Sequence, residues 1–159
     1  DAVVLPLFAE LVRVDRIRKP AAGELAAMAR ERLRVHFARR PRTNPVDRFH
    51  AQFEAYLPEM QERGLPHYHA WAFATTRQLG ASAELLGHHL GWLAGITPSA
   101  QLDSAAAHFL ALSAAAKTFI LKAARAVNGK RPFDSAPAFT EMSQAWALGI
   151  TAMGAEIGS

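Results

Sequence analysis

One stretch concentrates the side chains that could do chemistry. Between Gly64 and Gly95 lie four of the seven histidines, His67, His69, His88 and His89, with Trp71, Trp92, Arg77 and Glu84. A helix offers metal ligands on one face at a separation of three or four residues. No two histidines in the chain have that separation. The pairs His67/His69 and His88/His89 would stand roughly 28 Å apart along a helix. Glu-x-x-His is absent, and Asp47 with His50 only shares its spacing. The expectation is no metal site and no cofactor.

Tyr68 and His69 fall in the expected first turn of a helix, beside Trp71. The positive end of the helix dipole there favours anions. The plainer alternative is an amphipathic histidine covering the core. Further along, Lys117 shares a helical arc with Leu110, Leu121 and Ala124. An ammonium in an apolar arc must find a partner, reach water along its stem or lose its charge. Arg77 and Glu84 lie nearly two turns apart on one face of the preceding helix, so a Glu84–Lys117 contact is expected. It would be either a buried ion pair fixing helix register or part of a pocket wall for an anionic or acyl substrate. Tyr68, His69, Arg77, Glu84 and Lys117 are therefore the candidate substrate-binding residues, with Arg77 and Lys117 as anion holders. No catalytic residue is assigned. Ser113 is one turn from Lys117, but the surrounding helix interior supplies no oxyanion loop. The chain has no cysteine, hence no thiolate ligand or cysteine nucleophile.

These residues need helices to position them, and helix punctuation recurs throughout. Apolar periodicity bounded by Pro and Gly predicts helices over about Pro6–Ile17, Ala22–Arg39, Pro45–Arg63, Pro66–Leu93, Pro98–Asn128 and Pro137–Ile157. Asn44 caps the third and "NG" stops the fifth, which would be roughly 45 Å long. The fourth is expected to loosen at Gly80. The fold class is all-α: an antiparallel bundle or array of about six helices in one domain of 159 residues. No apolar run approaches the roughly 20 residues that span a bilayer, and a cytoplasmic setting is the default expectation. Asp1 is expected to be a processed end or a cut inside a longer chain.

Charge is uneven: residues 1–48 carry 11 Lys+Arg against 6 Asp+Glu, and residues 49–159 carry 7 against 8. Arg30, Arg34, Arg39, Arg40 and Arg42 are candidate contacts for an acidic partner, with an ordinary solvated face as the alternative. Nucleic acid is disfavoured, because neither a phosphate loop nor a helix-turn-helix signal accompanies the charge.

The segments "LPLFAELVRVDRIR", "YHAWAFATTRQLGASAELL" and "AAAKTFILKAARAVNGKRPFD" resemble an uncharacterised bacterial family encoded beside amino acid:carrier-protein ligases and small acyl carrier proteins. The resemblance spans about Leu5 to Ala147. It implies that this chain is the C-terminal helical half of a protein roughly twice its length. It also implies work on aminoacyl groups held by an acidic acyl carrier protein, similar to transferases that use a papain-like cysteine. Without a cysteine, that chemistry could not be completed by these residues. The rival expectations are a ligand-sensing or dimerising regulator domain and a structural module without a site.

Overall fold

In the computed structural model, residues 13–157 are described, and every regular element among them is helical. There are five main helices: α1 (Ala22–Ala38), α2 (Pro45–Arg63), α3, α4 (Ala100–Asn128) and α5 (Ala136–Ile157). Helix α3 is composite. Its first turn, Leu65–Tyr68, passes through a π-helical segment, His69–Phe73, into Ala74–Ile96. The helix expected over Pro6–Ile17 lies mostly outside the described residues. Its described end forms only a 3-10 turn, Val14–Arg16, on which Val14 stays exposed.

Local chemistry sets the boundaries. Asn44 accepts the Val46 N–H at 3.0 Å, and Pro45 fills the first helical position of α2. The amide of the same Asn44 donates to the Ser143 hydroxyl at 2.8 Å and carbonyl at 3.1 Å, which ties the start of α2 to α5. Gly64, at φ 78°, turns α2 directly into α3. Helix α4 begins at Ala100, later than Pro98, because Ser99 Oγ caps it by accepting the Leu102 N–H at 3.2 Å. It ends at Asn128 as expected from "NG", but Gly129 is not the left-handed residue. Gly129 stays near right-handed helical geometry, and Lys130 takes the left-handed conformation at φ 47°. The bonds Lys130 N–H to Val127 O and Arg131 N–H to Ala126 O complete a Schellman motif one residue later than expected.

Helices α3, α4 and α5 form the main packed layer. Along α3 and α4 the contacts run in opposite directions: Gly87 meets Leu110, Gly80 meets Ala116, and Tyr68 meets Ile120. A Cβ on Gly87 would stand 2.8 Å from Leu110 Cγ and 3.1 Å from the Ala106 carbonyl. On Gly80 it would stand 3.2 Å from Ala116 Cβ. Gly80 is thus a point of close helix approach, and α3 continues through it without the expected loosening. The irregularity falls earlier, at His69–Phe73.

Between α4 and α5 the order also reverses, with Phe109 against Gly149 and Phe119 against Phe139. Helix α2 lays Phe53 onto Phe119 and Phe139, at ring separations of 5.0 and 5.7 Å. On α1 the buried residues are Ala26 and Leu33, while Leu25 faces out. By length and composition α4 is long and apolar enough to cross a bilayer, contrary to the expectation that no segment is. Its apolar side chains from Leu102 to Val127 form much of the protein core.

Candidate functional site

A groove of about 490 Å³ runs along the outer side of the α3–α4 pair. Phe73, Thr76, Arg77, Gly80, Ala81 and Glu84 come from α3, and Ala116, Lys117, Ile120 and Leu121 from α4. The α3 positions follow a spacing of three or four residues, so they occupy one stripe of the helix. Gly80 and Ala116 keep the floor low, and Thr76 turns its hydroxyl back to the Ala72 carbonyl at 2.7 Å. The floor is therefore apolar while the rim is charged. Arg77 also borders an adjoining depression with His69, Phe73, Ala74, Gln78 and Ala81. The π segment carries both His69 and Phe73 to this end, and such segments often accompany functional sites.

Three expected site residues, Arg77, Glu84 and Lys117, meet in the groove. Lys117 Nζ lies 2.8 Å from Glu84 Oε1, which realises the expected contact. The pair is not buried: the two side chains are 59% and 41% exposed. Nothing among the described residues covers the outer face of α3 and α4, and Leu110 and Leu121 on the same arc are exposed as well. The hydrogen bond and charge of Lys117 hold the Glu84 carboxyl below its ordinary pKa. Arg77 is exposed and has no ion-pair or hydrogen-bond partner among the described residues.

The other two expected residues fare differently. Tyr68 is wholly buried, and its hydroxyl donates to the Ile120 carbonyl at 2.8 Å. Burial pushes the phenol up to about 12. Tyr68 thus locks α3 to α4 and does not line the groove. His69 is exposed beside the Phe73 ring, 5.1 Å between centroids, and borders the depression. It stands in the second turn of α3, since that helix begins at Leu65.

Ser113 sits beneath Gly80, buried, with no hydrogen-bond partner for its hydroxyl among the described residues. Lys117 is engaged with Glu84, so no Ser–Lys dyad forms. Among the described residues no three metal-ligating side chains converge. His50 instead bonds Glu54 at 2.9 Å and stacks on Phe139 at 4.4 Å.

The arginines divide. Arg30, expected at a partner surface, turns inward: its Nη1 lies 2.6 Å from Glu156 Oε1 and its Nη2 donates to Thr97 Oγ1 at 3.2 Å. Ser99 Oγ donates to the other carboxylate oxygen of Glu156 at 2.6 Å. The Ser99 hydrogen bond first, and Arg30 after it, hold the Glu156 carboxyl below its ordinary pKa. Sequence reading missed this clamp, because its members lie 57 and more residues apart. Arg34 pairs with Glu31 at 2.9 Å on the exposed face of α1. Arg40 lies over the Phe37 ring at 3.7 Å, whereas Arg39 and Arg42 face solvent.

No curated protein and no solved structure was found to match this chain. A family model does, over residues 22–155, from the first residue of α1 to the last turn of α5. The chain belongs to the DUF1839 C-terminal domain family, a domain of unknown function.

Proposed function

We propose that this domain is a binding module of carrier-protein-linked aminoacyl metabolism, in which the α3–α4 groove receives an acyl or aminoacyl chain that bears an anionic group. The observation that carries the reading is Arg77. It stands unpaired beside an apolar floor, on the same groove as the Glu84–Lys117 pair. A guanidinium keeps its charge and offers a planar fork of donors to a carboxylate or phosphate. Phe73, Ile120 and Leu121 give the rest of a ligand an apolar bed, and the volume is in the range of small-molecule sites. Lys117 adds a second cation that a ligand can recruit from Glu84. In this reading Arg77 and Lys117 are anion holders.

The carrier protein enters through the family resemblance and through charge. Arg34 and Arg39 lie on the exposed side of α1 and its end, where an acidic partner would gain from long-range attraction. Calorimetric titration with an acyl carrier protein, aminoacyl-loaded and unloaded, tests the reading. The loaded form should bind more tightly, and Arg77→Gln should remove that preference while circular dichroism stays unchanged. Equal binding of the two forms, or no binding of either, would overturn it.

A further inference from the structure

A second pocket, of about 410 Å³, lies where α1 turns into α2 and faces α5. It is lined by Ala38, Arg40, Pro41, Arg42, Trp146 and Ile150. Arg40 and Arg42 line it together with an indole and a branched aliphatic side chain, and no carboxylate is among the lining residues. That charge balance differs from the groove, where Glu84 offsets one of two cations. Arg40 is also held in place. Its guanidinium lies 3.7 Å over the Phe37 ring, and Nη1 donates to the Phe37 carbonyl at 2.8 Å. Phe37 is itself wedged against Gly154 of α5. A cation so anchored has less side-chain freedom to lose when it binds, and four of its five N–H donors remain. Pro41 restricts the backbone between the two arginines. Arg42 is exposed, with no partner of its own among the described residues.

We infer that this pocket binds a small phosphate monoester whose flat apolar body rests against Trp146 and Ile150. Two uncompensated guanidiniums match a dianion better than a single carboxylate. A phosphate monoester approaches that charge at neutral pH and offers enough oxygens for both forks. The indole supplies a face on which a flat group stacks. The site is separate from the α3–α4 groove and does not depend on what that groove binds. It also gives Arg40 and Arg42 a different role from docking an acidic protein.

Phenyl phosphate is a suitable probe, with benzoate as its singly charged counterpart, each titrated calorimetrically into the whole chain at neutral pH. Phenyl phosphate should bind saturably and more tightly than benzoate. Arg42→Gln should weaken it about tenfold, as expected for losing one charge-assisted contact. Arg40→Gln should do the same, and circular dichroism should confirm that both variants keep their helices. Arg39→Gln, outside the pocket, should leave phenyl phosphate binding unchanged. Lowering the pH below about 6, where the ester gains a proton, should weaken phenyl phosphate binding and spare benzoate. No saturable binding of phenyl phosphate would overturn the inference. Benzoate binding as tight as that of the phosphate would overturn it too, as would equal effects of Arg42→Gln and Arg39→Gln.

Discussion

Two ion pairs in this protein have nearly the same length and opposite meanings. Glu84–Lys117 closes at 2.8 Å and Arg30–Glu156 at 2.6 Å. Around the first, both side chains are about half exposed, and neither has a further hydrogen bond among the described residues. Around the second, Glu156 is only 14% exposed, and Thr97 and Ser99 complete the coordination of the pair. The second also joins α1, the α3–α4 connection and the end of α5. Distance alone therefore says little about what an ion pair does. Exposure and the number of secondary partners separate a contact that a ligand can borrow from one that the fold depends on.

The largest expected effect is on the clamp. Glu156→Ala leaves the Arg30 guanidinium and the Ser99 hydroxyl short of their acceptor, and should cost about 2 kcal/mol in urea unfolding. That is below the cost of breaking a fully buried pair, because Arg30 keeps a third of its surface in water. A loss no greater than that of an exposed alanine substitution would erase the contrast between the two pairs.

The same clamp should be visible in acid. The folded pKa of Glu156 is lowered, so its contribution is present above the ordinary carboxylate range. It fades as the pH falls through the folded value. Stability of the native protein should therefore drop below about pH 4.5, and Glu156→Gln, less stable at neutral pH, should show a shallower acid slope. Parallel slopes for the two proteins would mean that other carboxylates govern the acid response.

How much of this was legible in the sequence depended on range. Helix limits at Asn44, Pro45 and Gly64 could be read because a cap, a fixed φ and a positive φ are local properties. The Glu84–Lys117 contact was legible because two long consecutive helices, joined by a short connection, must lie side by side. Its exposure was not, since which face of α4 is covered depends on where α2 and α5 pack. Tyr68 was misplaced for a similar reason: its partner, the Ile120 carbonyl, is 52 residues away. The "NG" stop was read at the right place, since α4 ends at Asn128, but the left-handed turn falls on Lys130 and not on Gly129. Lys130→Gly should accordingly stabilise the protein by about 0.5–1 kcal/mol in urea unfolding, by relieving the left-handed strain. A loss of stability would show that Lys130 makes a contribution that outweighs its backbone.

The smallest expected effect on stability belongs to Lys117, and it decides most about the groove. Were the pair buried, Lys117→Met would strand the Glu84 carboxylate and destabilise the fold, and adding Glu84→Leu would restore it. With both side chains largely in water, Glu84 can be hydrated as soon as Lys117 is gone. Lys117→Met should therefore leave the urea midpoint where it is, and the double variant should differ little from it. Raising the salt concentration should likewise spare the fold, because only a screened surface contact is weakened. Ligand binding should respond differently. A chain with an anionic group loses its second cation in Lys117→Met, so its affinity should fall while the apolar bed of Phe73, Ile120 and Leu121 stays intact. An unchanged midpoint with reduced affinity for the aminoacyl-loaded carrier protein would separate holding the ligand from holding the fold. A clear loss of stability in Lys117→Met would instead make Glu84–Lys117 a second clamp, and the groove would lose the cation assigned to it.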